Sequence, residues 1–155
     1  MILGLDISTS ITGYTILGQD GNVLVCDHID LRKEKNFFKK IEIVCDRLES
    51  LDDAYSIEQV YIEQSLQSFR SGFSSAQTLS LLSKINGIVS WLCYNFFYKE
   101  PKYLAATSAR KLCGIKIPKG QKAKKVSLQF VIDNVPEFEV QYTRHGNPKA
   151  GYADR

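Results

Sequence analysis

The chain has 155 residues, enough for one domain that buries about 70% of its unfolded surface. Its hydrophobic content of 44% and charged content of 24% are those of a soluble globular protein, and Ser83, Lys84, Asn86 and Ser90 break the apolar stretch that ends in Phe96-Phe97-Tyr98, which excludes a transmembrane span there. The net charge of +3 is unevenly spread: between Gln64 and Ile132 eleven Lys and Arg stand against the single acid Glu100, a net +10, and the remainder carries −7, a segregation that suggests a polyanion footprint on one part of the surface.

Met1 leads straight into the first predicted strand, Ile2-Leu3-Gly4-Leu5-Asp6-Ile7. No signal peptide is expected there, and the expected location is the cytoplasm. Ile2, Leu3, Leu5 and Ile7 read as a buried strand closed by the Ser8-Thr9-Ser10 turn. Asp6 interrupts that run. An ionised carboxylate among apolar neighbours costs several kcal/mol unless it is paired or bound to a cation. Asp6 therefore asks for a metal, a Lys or Arg partner, or a strand end open to solvent.

Ile11 to Leu17 reads as a second strand, Gly18-Gln19-Asp20-Gly21-Asn22 as a hairpin turn with Asp-Gly in it, and residues 23–31 as a third strand. Short turns make these three an antiparallel meander. Phe37, Ile41, Val44, Cys45, Leu48 and Leu51 recur at three- and four-residue steps, which predicts an amphipathic helix over 35–50. Residues 59–64 form another β-branched and aromatic run, and it delivers Glu63 at its end. Two strands that each end in an acid are how a divalent-metal site is built from oxygen ligands.

A loop with small and aromatic residues follows, in which Phe69 and Phe73 flank Arg70. A long helix is expected over 74–98. Its apolar residues cover more than one face, so it either sits centrally or packs on a second subunit; a homodimer through this helix is expected. Residues 102–105 read as a short strand. Thr107 or Ser108 is expected to cap a short helix carrying Arg110, Lys111 and Leu112. A last helix is marked by Ala123, Val126, Phe130 and Val131 and ends near Asp133, and residues 134–152 carry loop chemistry. The order β-β-β-α-β-α-β-α-α implies one α/β domain over 1–155: a mixed five-stranded sheet, a meander plus two crossover strands, with helices on both faces. A right-handed crossover sets Glu63 beside Asp6. Cys26, Cys45, Cys93 and Cys113 show no C-x-x-C spacing, which argues against zinc and for reduced thiols.

Ile2-Leu3-Gly4-Leu5-Asp6, Thr12-Gly13-Tyr14, Tyr61-Ile62-Glu63-Gln64, Ala105-Ala106-Thr107-Ser108-Ala109-Arg110, Gly114-Ile115, Lys122-Ala123-Lys124-Lys125 and Ala153-Asp154 together resemble the RuvC-type Holliday-junction resolvases of the ribonuclease H-like superfamily, in phage-type members as well. The resemblance runs nearly end to end and lies in the order and spacing of motifs that are each common. It implies a ribonuclease H-like fold and a homodimer that binds four-way and other branched DNA. It also implies paired nicking with two magnesium ions per active site. Asp6 and Glu63 match the family's first two metal-binding acids, and Asp154 matches one member of a C-terminal acidic pair. The family's pair lies three residues apart, so the other member falls either at Gly151, which cannot ligate, or beyond Arg155; His145 is too far upstream to replace it. The C-terminal helix that carries the pair in the family is expected to be absent or cut short.

Two-metal phosphodiester cleavage needs carboxylates that hold two cations about 3.5–4 Å apart. Asp6, Glu63 and Asp154 are the candidate catalytic and metal-binding residues, and the lack of soft ligands near them favours magnesium, with manganese substituting, over zinc. Arg110, Lys111, Lys119, Lys122, Lys124 and Lys125 are the candidate phosphate contacts, with Lys84 a secondary candidate. Phe69, Arg70 and Phe73 form a candidate wedge at an opened branch point. Two other readings compete. One is a non-catalytic branched-DNA-binding module, which has the same charge segregation. The other is a fragment of an actin-like or sugar-kinase-like ATPase, whose first phosphate loop Asp6-Ile7-Ser8-Thr9-Ser10 and Gly13 also resemble, but which requires a second half with another phosphate loop.

Overall fold

The computed structural model describes residues 1–64, 76–136 and 138–149. In chain order these form β1 (Ile2–Asp6), β2 (Ile11–Leu17), β3 (Val23–Asp30), α1 (Phe37–Ala54), β4 (Gln59–Glu63), α2 (Ala76–Phe97), β5 (Lys102–Leu104), α3 (Ala106–Leu112) and α4 (Ala123–Asn134). The strands make one sheet in the order β3-β2-β1-β4-β5. β2 pairs antiparallel with β1 and with β3, while β4 runs parallel to β1 and to β5. This is the expected meander extended by two crossover strands.

Alternation along the strands sorts the sheet into two faces. Leu3 and Leu5 of β1, Ile16 of β2 and Val60 and Ile62 of β4 are buried on one face. Val44, Leu48 and Leu51 of α1 and Ile85, Val89, Leu92, Cys93 and Phe97 of α2 join them in a single core. Each such side chain contributes about 1.5–3 kcal/mol when fully removed from water. On the opposite face Ile2, Gly4, Thr15 and Tyr61 are only half-buried. α3 and α4 approach that face at the ends of β1 and β4.

The turn between β2 and β3 is built as its Asp-Gly suggests. Asp20 Oδ1 accepts from the Asn22 N–H at 3.1 Å, and Gly21 takes a φ of +84°, which glycine adopts without a side-chain clash. α1 begins two residues later than its apolar stripe predicts and runs four residues further. Asn36 is the reason for the start: its Oδ1 accepts from the N–H groups of Phe38 and Lys39 at 2.9 and 3.2 Å, which satisfies two donors that the helix itself leaves unpaired. α3 departs from expectation. Neither Thr107 nor Ser108 caps it; the N-cap is Ala105, with no side-chain hydrogen bond. The chain passes from β5 into α3 with a single extended residue between them, so both hydroxyl residues fall inside the first turn.

All four cysteines are free thiols. No helix among the described residues is long and apolar enough to cross a membrane.

Candidate active site

The register of β1 against β4 pairs Leu5 with Ile62. The next residues, Asp6 and Glu63, therefore leave the same end of two neighbouring parallel strands, on the face away from the core. Hydrogen bonds hold both strand ends. Past Asp6, Thr12 Oγ1 donates to the Ser8 carbonyl at 3.1 Å and accepts from the Ser8 N–H at 3.2 Å, the Leu31 N–H donates to the Ser10 carbonyl at 2.8 Å, and the Lys40 ammonium donates to the Thr9 carbonyl. Past Glu63, the Gln64 N–H donates to the Leu104 carbonyl at 3.0 Å, which extends the pairing of β4 with β5 beyond the acid.

Asp6 and Glu63 line one open cavity of about 440 Å³. Its other walls come from α3 (Ala106, Arg110), from α4 (Ala123, Lys124, Ser127, Leu128, Val131) and from Phe138. Two carboxylates thus face two cations across a partly apolar chamber. The Glu63 carboxyl holds its proton above the ordinary carboxylate value: withdrawal from water raises it, and the charges of Arg110 and then Lys124 pull it back. Glu63 as a residue is exposed at the mouth of the cavity.

Two shallower grooves follow, the first adjoining this chamber and the second adjoining the first through Gly114 to Lys116. The first, of about 350 Å³, shares Arg110 with the chamber and is lined by Lys111 and by Gly114 to Ile117. The other, of similar size, is lined by Gly114 to Lys116 and, on α4, by Lys125. The structure therefore gathers Asp6, Glu63, Arg110 and Lys124 in one chamber, with Lys111 and Lys125 on the adjoining grooves. Lys122 is the N-cap residue of α4 and Lys119 lies in the loop before it, both exposed. Lys84 is exposed on α2 and lines none of these cavities. Asp154, Phe69, Arg70 and Phe73 lie outside the described residues.

Among the described residues no group of three His, Cys, Asp or Glu is placed to hold a metal ion. The two carboxylates of the cavity offer hard oxygen donors. That set suits magnesium, which is commonly held by one or two carboxylates together with water and substrate phosphate. Sequence reasoning did not find the far wall of the chamber. Ser127 and Leu128 follow Lys124 at helical spacing, which is the one signal available for them, whereas Phe138 sits in a stretch that reads as loop yet is only 8% exposed.

The chain matches no protein-family model and no curated protein. Its backbone does match solved structures. A structure of Thermus thermophilus RuvC in complex with a Holliday junction substrate superposes with a TM-score of 0.70 over 93% of this chain and 83% of that one, at 10% identity. The chain has the ribonuclease H-like fold of RuvC. A second Thermus thermophilus RuvC structure matches with a TM-score of 0.63 at 12% identity, covering 99% of this chain and 87% of that one. The yeast mitochondrial Holliday junction resolvase Ydc2 matches with a TM-score of 0.53 at 16% identity, over 85% of this chain and 60% of that one.

Proposed function

We propose that the chain is a metal-dependent, structure-specific endonuclease that resolves four-way and related branched DNA by paired nicking. The observation that carries this reading is the delivery of Asp6 and Glu63 by adjacent parallel strands into a chamber also lined by Arg110 and Lys124. In this reading Asp6 and Glu63 hold two magnesium ions, for which manganese substitutes, and Asp154 completes the set. When bound, such ions generate hydroxide from water and stabilise the leaving oxygen. Arg110 and Lys124 draw the phosphodiester into the chamber, and Lys111 and Lys125 hold its continuation on the adjoining grooves; Lys119, Lys122 and Lys84 add charge around that path. Phe69 and Phe73, with Arg70 between them, fill the opened branch point.

Paired nicking requires two chambers, and α2 supports a homodimer. Trp91 and Tyr94 are 60% and 56% exposed on α2 and Tyr98, just past its end, is 82% exposed, and large exposed aromatics grouped in this way are characteristic of buried partner surfaces rather than of free helix faces. Sedimentation is expected to give a dimer at micromolar concentration, and Trp91→Ala with Tyr94→Ala to shift it toward monomer.

The main test is cleavage of a synthetic four-way junction in magnesium. The expected result is symmetric nicks that disappear on chelation while binding persists. Asp6→Asn should lower the cleavage rate by roughly 100- to 1000-fold, since metal activation is worth several kcal/mol, with junction affinity equal or tighter. A variant that still cleaves, or one that loses binding along with cleavage, would contradict the assignment of Asp6. A second reading, a branched-DNA-binding module without cleavage, is favoured by the count of two acids in the chamber among the described residues; binding without magnesium-dependent nicks would select it.

A further inference from the structure

Three of the serines in the described helices have contrasting fates. Ser50 of α1 donates its hydroxyl to the Asp46 carbonyl at 2.8 Å. Ser90 of α2 donates to the Asn86 carbonyl at 2.7 Å and accepts from the Tyr103 hydroxyl at 2.8 Å. Both use the bond to the fourth preceding carbonyl that a helical serine commonly makes. Ser127 of α4 does not. Its Oγ is withdrawn from solvent and has no hydrogen-bond partner among the described residues.

An unpaired buried hydroxyl is unfavourable, and in a native structure it calls for an explanation. The place of Ser127 provides one. It lies in the wall of the chamber, three residues after Lys124 on the same side of α4 and opposite Asp6 and Glu63. Ala123, Lys124, Ser127, Leu128 and Val131 make up the α4 side of that wall, so Ser127 is the hydroxyl of an otherwise cationic and apolar helix face. Rotation about its Cα–Cβ bond between staggered positions is the freedom by which the hydroxyl would reach a ligand in the chamber.

The ligand must be an acceptor, because Arg110 and Lys124 already supply donors and positive charge. A phosphodiester oxygen accepts only, and those cations attract it. Lys124 acts on it as a point charge with little directionality, whereas a hydroxyl one turn further along gives a directed bond. We propose that the Ser127 hydroxyl donates to a non-bridging oxygen of the phosphodiester in this chamber and so fixes its orientation for cleavage. This rests on the endonuclease reading above.

The test compares Ser127→Val with Ser127→Thr in the full chain, two side chains of equal shape and branching that differ in the hydroxyl. Single-turnover cleavage of a four-way junction in magnesium is measured beside junction affinity and melting temperature. Ser127→Val should cleave about 10- to 100-fold more slowly, the range for a hydrogen bond to a charged group. Its junction affinity should stay within about threefold and its melting temperature should not fall. Ser127→Thr should recover most of the rate. Equal rates for the two variants, or a fall in melting temperature that accompanies the slow rate of Ser127→Val and is absent in Ser127→Thr, would make Ser127 structural and overturn the proposal, leaving the endonuclease reading in place. A wild-type chain that binds junctions but makes no nicks overturns both.

Discussion

The first hundred residues and the segment that carries α3 and α4 are built on different terms. The sheet, α1 and α2 share one continuous core, with side chains such as Leu3, Ile16, Leu48, Ile62, Ile85 and Val89 almost wholly out of water. α3 and α4 contain no buried residue. They wall the cavity where the sheet's acids emerge, and they bring Arg110, Lys111, Lys124 and Lys125. The contrast separates two tasks: one region supplies stability and fixes the carboxylates, the other supplies charge and walls the far side of the chamber.

That division can be broken by experiment. Leu48→Ala should lower stability by about 2–5 kcal/mol, the cost of a deleted core side chain and the cavity it leaves, measured by chemical denaturation. The same measurement on Lys124→Ala with Lys125→Ala should show a change within about 0.5 kcal/mol, as for other surface replacements; a large loss there would mean that α4 is part of the stabilising core. In the endonuclease reading the effect of that pair falls on binding instead. The slope of log K against log[salt] for duplex and junction DNA should fall by roughly 2, about 0.9 for each lost phosphate contact, and an unchanged slope would remove both lysines from the DNA path.

The smallest effect concerns the thiols. Burial without any compensating charge pushes the Cys93 thiol up to about 12, and the residue is inaccessible in the core. Cys113 is exposed just after α3. A disulfide reagent at pH 8 should therefore label Cys113 quickly and Cys93 only on unfolding. Because the folded state holds the Cys93 proton more tightly than the unfolded chain, this group costs no stability at neutral pH and begins to destabilise as pH rises above the ordinary thiol value near 8.5. Rapid labelling of Cys93 would show that α2 opens far more readily than its packing allows.

Legibility in the sequence follows the same division. β1, β2 and β4 could be read because each is a short apolar run with a defined end, and the anomalous acids Asp6 and Glu63 marked where those runs meet solvent. α1 was recognisable from its stripe, but its start depended on the Asn36 side chain, a cap that apolar spacing does not reveal. The strength of a hydroxyl at a helix start was overestimated at Thr107 and Ser108, because tertiary placement next to β5 set the start of α3 instead. The chamber wall was the least legible part. Ser127, Leu128, Val131 and Phe138 become neighbours of Asp6 only through packing of separate segments, and no local pattern encodes that meeting.

The parallel pairing of β1 with β4 has a consequence for the timing of activity. One acid lies at the beginning of the chain and the other beyond the α1 crossover, so neither the meander nor the crossover helix alone contains a site. The two carboxylates become neighbours only when β4 inserts beside β1, a long-range closure of the kind that forms slowly compared with local hairpins. In the endonuclease reading, a chain trapped part-way to the native state would hold its two acids apart and could not cut. On that reading the site would arise together with the completed sheet, so that the fold itself acts as the safety catch.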